Sequence, residues 1–465
     1  MSLKYEKKDI YSTLSQEDLD NANGYAKSYM SFLDKARTEY LAVEEAVKIL
    51  ENNGFISLDE KQRLEVGDRI YFINKNKSLY VAVIGKDAIV DGVNIVGAHI
   101  DSPRLDIKPM PLIEKSGTAL FKTQYYGGIK KYQWMSIPLA MYGVIYNKDV
   151  EKIKIAIGEN DDDPVFTIAD LLPHLAKDQM KSNANDFIDP EKMSVLVGSL
   201  KDQEADEKTS EKVKQNVLKI LNSKYGIEEI DFARSEISFV PAFKTKFIGV
   251  DRGLIGGYGQ DDRVCAYATI RAIVDAADEM GENISKTAIA MIVDKEEIGS
   301  IGTTSMSSRA FDMFINKLIE KTNSIGVDKL EVYYNSKVLS ADVTAGVAPE
   351  YEEVSDIQNG SIIGCGISVE KYTGSGGKYN ASDANASYMS QVMSIFDRNS
   401  VMYQVGTLGK IGKGGGGTIA YILADKGCEV VDCGTPVLAM HSPFEVTSKY
   451  DVYMTYLAYK AFFKE

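Results

Sequence analysis

The sequence predicts an α/β protein: a mixed, largely parallel sheet flanked by helices, with a smaller β-rich domain inserted into it. Three observations lead there. The chain has 465 residues, more than one hydrophobic core normally serves, so two domains are expected. Beyond Gly257, apolar strand-like runs alternate with helical stretches, the pattern of parallel strands covered on both faces. Between about 108 and 247 that alternation breaks into isolated strand-like pieces. The predicted division is residues 1–107 and 248–465 for the main domain and 108–247 for the insertion.

The elements follow in order. Tyr29, Phe32, Leu33, Ala36, Tyr40, Leu41, Ala46, Ile49 and Leu50 recur at helical spacing and Gly54 stops the run, which predicts one or two amphipathic helices. Strand-like runs occupy 69–73, 79–84 and 93–100. The insertion holds Tyr125-Tyr126-Gly127-Gly128, an acidic tract from Glu159 to Asp163, and a polar helix-like stretch near 201–219. After it come a helix over 262–280, a buried strand over 287–293 and a helix over 306–321. Strands at 338–342 and 362–369, a helix over 384–396, a strand at 428–434 and a closing helix complete the chain.

Charge narrows the function. Lysine plus arginine is 53 against 67 aspartate plus glutamate, a net charge of −14, which argues against a nucleic acid or an anionic membrane as partner. No apolar run approaches the roughly 18 residues of a membrane span. The residues Met1 to Asp9 carry charge where a signal peptide needs an apolar stretch. The four cysteines form no paired pattern, which fits a reducing cytoplasm. The histidines are His99, His174 and His441, so histidine chemistry must use these.

Five short stretches carry candidate chemistry. In Gly97-Ala98-His99-Ile100-Asp101-Ser102-Pro103, His99 and Asp101 project to the same side of a strand, and a metal-bound histidine usually gives its other ring N–H to a carboxylate. A structural histidine beside a helix-capping aspartate is the competing account. Gln260-Asp261-Asp262-Arg263 opens a helix, where one aspartate is explained by capping and the second is spare. Glu296 and Glu297 follow a buried strand, where adjacent carboxylates repel unless a cation compensates; an exposed acidic turn is the plainer account. Asp342 and His441 each stand near the end of a predicted strand, the position where parallel α/β sheets build sites. Nitrogen and oxygen donors without thiolate suit two zinc ions, and manganese or cobalt also fits.

Taken together, GAHIDSPRLDIKP, YYGGIKKYQW, LLPHLA, GQDDR, DKEEIGS, the start of SADVTAGVAPEY and GTPVLAMHS, in this order across most of the chain, resemble the aspartyl aminopeptidase and vacuolar aminopeptidase I group of dizinc exopeptidases. The resemblance implies a zinc-exopeptidase-like catalytic domain and a dimerisation role for the insertion within a tetrahedral twelve-subunit shell. It implies that His99 and Asp342 hold one zinc, that Glu297 and His441 hold the other, and that Asp261 bridges them. Glu296 is then the general base and Asp101 orients His99. The implied reaction removes the N-terminal residue of a peptide by a water that two metals activate, with a preference for acidic first residues. The resemblance also implies that His174, in LLPHLA, reaches a neighbouring subunit's site, a helix-surface histidine being the competing account. It implies too that Lys378, Gly416 and Gly417 complete the substrate-binding set, a solvated surface lysine being the plainer account of Lys378. Gly414 to Gly417 reads as a substrate loop and not a nucleotide loop, since no Gly-Lys-Ser/Thr follows.

The sequence also departs from that family. Gln260-Asp261-Asp262 replaces an apolar residue followed by Asp-Asn, a form similar to a related tetrahedral aminopeptidase family with neutral-residue preference. Val343-Thr344-Ala345-Gly346 lacks the histidines usual after Asp342. Gly376-Gly377-Lys378-Tyr379-Asn380 replaces an asparagine-glutamine-arginine-tyrosine stretch, so the cation has changed type. The same motifs are compatible with a catalytically silent shell or cargo-binding protein on this fold, and with an enzyme of the same metal chemistry acting on non-peptide amides.

Overall fold

The computed structural model describes residues 3–206, 208–375, 379–412 and 416–465. The chain forms two compact units, one of residues 1–101, 245–440 and 445–465, the other of 102–244 and 441–444.

The first unit is built on a nine-stranded sheet in the order Ile56–Ser57, Arg69–Asn74, Ser78–Val83, Ala288–Val293, Asn94–His99, Lys337–Ser340, Glu429–Gly434, Ile367–Glu370 and Tyr403–Gly406. Its four central strands, from Ala288–Val293 to Glu429–Gly434, are mutually parallel. Antiparallel pairings flank them, so the sheet is mixed, as predicted. Successive strand residues enter different cores because their side chains alternate in direction. Ala288, Ala290 and Ile292 join one cluster with the helices Gln16–Lys35, Glu39–Asn52, Gln260–Met280 and Lys449–Phe463. Ile289, Met291 and Val293 join a second, with Ala310–Lys321, Lys329–Asn335 and Ala420–Asp425. A strand that is apolar at every position is thus the signature of a sheet covered on both faces. The register pairs Val293 with His99, Gly97 with Ser340 and Ser340 with Asp432. Parallel strands in that register end together, and the chain leaves their carboxyl ends at one level.

The second unit carries a six-stranded antiparallel sheet in the order Lys152–Ile157, Leu139–Tyr146, Ser235–Pro241, Arg104–Lys115, Thr118–Tyr126 and Val195–Gly198. Phe121, Phe232 and Phe239 pack together in its core. Its helix runs over Lys212–Tyr225, later than the helix-like stretch expected near 201–219. Val213, Val217 and Leu221 supply the buried stripe. Before them, Asp202 and Asp206 accept the amides of Glu204 and Lys208, and such local bonds compete with a helix. Among the described residues, no helix is long and apolar enough to cross a membrane.

Candidate active site

His99 closes its central strand and is 1% exposed. Its Nδ1 lies 3.0 Å from the Asp101 carbonyl oxygen and 3.4 Å from the Asp101 carboxylate. A proton on Nδ1 serves those acceptors and leaves the lone pair on Nε2. Around Nε2 stand Asp261 Oδ1 at 3.2 Å, Asp342 Oδ1 at 3.7 Å and Glu296 Oε2 at 3.8 Å. Asp101 also accepts the backbone amides of Glu296 and Glu297, each at 3.1 Å. One buried carboxylate therefore anchors the acidic turn after Ala288–Val293 as well as the imidazole.

Asp261 owes its availability to a distant residue. The N-terminus of Gln260–Met280 receives no side-chain cap from its own first residues. Glu445 does that work, accepting the amides of Gln260 at 2.6 Å and Asp261 at 3.2 Å. Asp261 and Asp262 have non-helical backbone angles, so the helix, although entered at Gln260, is regular only beyond them. Asp262 Oδ2 accepts the His99 amide. Asp342 follows Lys337–Ser340, and Gly434 packs so closely on it that a Cβ there would lie 1.6 Å from the Asp342 carbonyl oxygen. Only glycine permits that approach.

Two overlapping sets of donor atoms result, His99 with Glu296 and Asp342, and His99 with Asp261 and Glu297, each within 4.8 Å. From the polypeptide's own charges, burial and the neighbouring Asp342 push Glu296 up to about 8, despite the opposing pull of His99. Burial also raises Asp342 and Asp262. Burial alone would lower His99, but hydrogen bonds to Asp101, Asp261 and Asp342 outweigh it and hold the ring well above its ordinary value. Carboxylates crowded on one imidazole in a buried place call for a cation of higher charge than a proton. The donors are nitrogen and oxygen, the set zinc accepts. The residues fit a divalent metal.

The remaining expected residues lie as follows. His441 belongs to the second unit, at φ 66°, with Nδ1 2.7 Å from the Gly128 carbonyl oxygen. His174 is an exposed turn residue of that unit. Gly416 lines a cavity of about 680 Å³ that also takes in Asp342. Gly417 packs on Asn380. Lys378 lies outside the described residues. Sequence reasoning did not single out Glu445, nor Glu370 and Asp432 in the cavity wall; each reads as an ordinary strand residue until its register is known.

Comparison with known proteins gives a consistent result. Residues 32–463 match the family described as Aminopeptidase I zinc metalloprotease (M18). The chain is 45% identical over 464 residues to "Probable M18 family aminopeptidase 1" of Borrelia garinii subsp. bavariensis, covering 99% of this chain and 100% of that one. The crystal structure of an M18 family aminopeptidase from Thermotoga maritima superposes with a TM-score of 0.94 at 42% identity, covering 99% of this chain and 100% of that one. The S. cerevisiae mApe1 dodecamer superposes with a TM-score of 0.77 at 21% identity, covering 96% and 97%.

Proposed function

We propose a two-metal mechanism for this chain, which belongs to the aminopeptidase I zinc metalloprotease (M18) family and is a metal-dependent aminopeptidase. The observation that carries the proposal is the pair of donor sets sharing His99. His99, Asp261, Glu297 and Asp342 would hold the ions, and the resemblance assigns His441 to the same role. When bound, zinc polarises the scissile carbonyl and acidifies the attacking water.

The chain's own groups do the rest. Asp101 fixes the His99 tautomer through Nδ1 and so presents Nε2. His441 supports the same assignment within its own unit, since an Nδ1 proton given to Gly128 leaves its lone pair on Nε2. Glu296 is the proton carrier, taking the proton of the water and returning it to the leaving amine. Its side chain is 18% exposed, against 2% for His99, 5% for Asp261 and 11% for Asp342. The most open member of this group is the one that can meet substrate. The substrate's α-amino group, offered to a metal or an acid, limits cleavage to the first residue. The acidic first side chain that the family resemblance implies would need a cation opposite it, for which the resemblance offers Lys378, but Glu370 and Asp432 in the cavity that Asp342 lines argue for the opposite charge.

A homo-oligomer, the tetrahedral dodecamer that the resemblance implies, fits the second unit. Leu171, Leu172 and Leu175 around His174 are 54%, 50% and 69% exposed, an apolar surface suited to a neighbouring copy, and sedimentation of the purified protein would read the assembly. A cytoplasmic setting fits four cysteines that are all free. The aminopeptidase reading is tested by comparing peptides with a free α-amino group and the same peptides N-acetylated. Turnover of only the free-amine series is expected; equal turnover of the acylated series would instead indicate an amide hydrolase of another class.

A further inference from the structure

The cavity that shares Asp342 with the metal cluster has an unusual floor. Its volume is about 680 Å³, and Glu370 and Asp432 both line it. Each is 5% exposed. They are directly opposed across the neighbouring strands Ile367–Glu370 and Glu429–Gly434, and Asp432 is in turn opposite Ser340, two residues before Asp342. Like charges directly opposite on a sheet destabilise it, and buried carboxylates without a counter-ion are costly.

Hydroxyls hold these acids in place without neutralising them. Asp432 accepts Thr418 at 2.7 Å and Thr373 at 3.1 Å. Glu370 Oε1 accepts the hydroxyls of Thr344 and Ser368, and Oε2 has no hydrogen-bond partner among the described residues. Among those residues, no lysine or arginine forms an ion pair with either acid. Lys371 is engaged by Asp383, and Lys410, an exposed residue of the cavity lining, lies near Asp356. Burial pushes Glu370 up to about 7 and Asp432 up to about 6, with the hydroxyls pulling the other way.

We propose that this cavity receives the side chain of the substrate's first residue, and that Glu370 and Asp432 select a cationic one, lysyl or arginyl. The inference rests on the aminopeptidase reading of the same site, because that reading places the scissile bond beside Asp342. An ammonium or guanidinium at the floor supplies the ion-pair partner that neither acid has among the described residues, and the free oxygen of Glu370 accepts its hydrogen bond. An aspartyl side chain in the same place would add a further acid to a lining that already holds Asp342, Asp356, Glu370, Asp383 and Asp432.

The test uses the full-length, zinc-loaded protein and three p-nitroanilides, lysyl, norleucyl and aspartyl. Norleucyl has nearly the lysyl shape without the charge. The expected kcat/KM for lysyl exceeds that for norleucyl by about tenfold, the effect of one charge-assisted bond, with aspartyl lowest. Glu370→Gln is expected to bring the lysyl-to-norleucyl ratio close to one. A wild-type preference for norleucyl or aspartyl overturns the proposal, and needs no variant. So does a Gln variant whose ratio is unchanged, or whose lysyl and norleucyl rates fall equally, the pattern of a residue that holds the α-amino group or the fold. Chelator-resistant turnover of the norleucyl substrate would instead undo the metal reading and leave the ratio to be judged separately.

Discussion

Glu296 is anchored through its backbone: its amide donates to the Asp101 carboxylate, which fixes where the turn begins. The side chain is then left to move a proton. Glu296→Gln preserves size and the backbone bond but cannot accept that proton. The variant is expected to keep its metal while kcat falls by roughly 10²–10⁴-fold, the usual range for a lost general base. Metal analysis and kcat measured on one preparation decide it; unchanged kcat would remove Glu296 from the role. At this scale the sequence was informative where chemistry follows a strand end directly, as at His99, Asp101, Glu296, Glu297 and Asp342. It was silent about Glu445, whose capping of Gln260 and Asp261 spans 185 residues. Nothing local distinguishes that glutamate from its neighbours.

Among the elements, Asp312 ties three helices on one face of the large sheet. It lies in Ala310–Lys321 and bonds Tyr333 of Lys329–Asn335 at 2.7 Å and Lys426, which ends Ala420–Asp425, at 2.8 Å. Burial alone would raise its pKa, but the hydrogen bonds from Lys426, Tyr333 and Arg309 outweigh that and hold it well below the ordinary carboxylate value. A folded-state pKa below the unfolded value of about 3.9 stabilises the native state above that pH, and the contribution disappears as pH falls through the folded value. Asp312→Asn is therefore expected to cost about 2 kcal/mol at neutral pH and progressively less below pH of about 4. Urea unfolding of both proteins at pH 7 and pH 3 checks this; an equal cost at the two values would show that charge is not the cause. Helices and strands were legible as elements because the buried stripes are periodic, as in Val213, Val217 and Leu221. Their starts were less so. The helix expected at 306 begins at Ala310, after Ser305 and Ser308 have taken local bonds to Gly302 and Ala310.

For the whole molecule, the alternation of strands and helices beyond Gly257 was enough to predict a mixed, two-faced sheet, because a strand buried on both sides has no polar face to display. Sheet order was not readable. It depends on pairings such as Ala288–Val293 with Asn94–His99, about 190 residues apart, for which the sequence carries no local signal. Comparable separations lie between His99 and the carboxylates grouped around it, and their convergence is the central claim. The most direct measurement is the metal content of purified protein, with and without Asp261→Asn. The account predicts close to two divalent ions per chain, with loss of both and of aminopeptidase turnover when Asp261 is replaced. Full turnover in metal-free protein, or two ions retained by the variant, would contradict it.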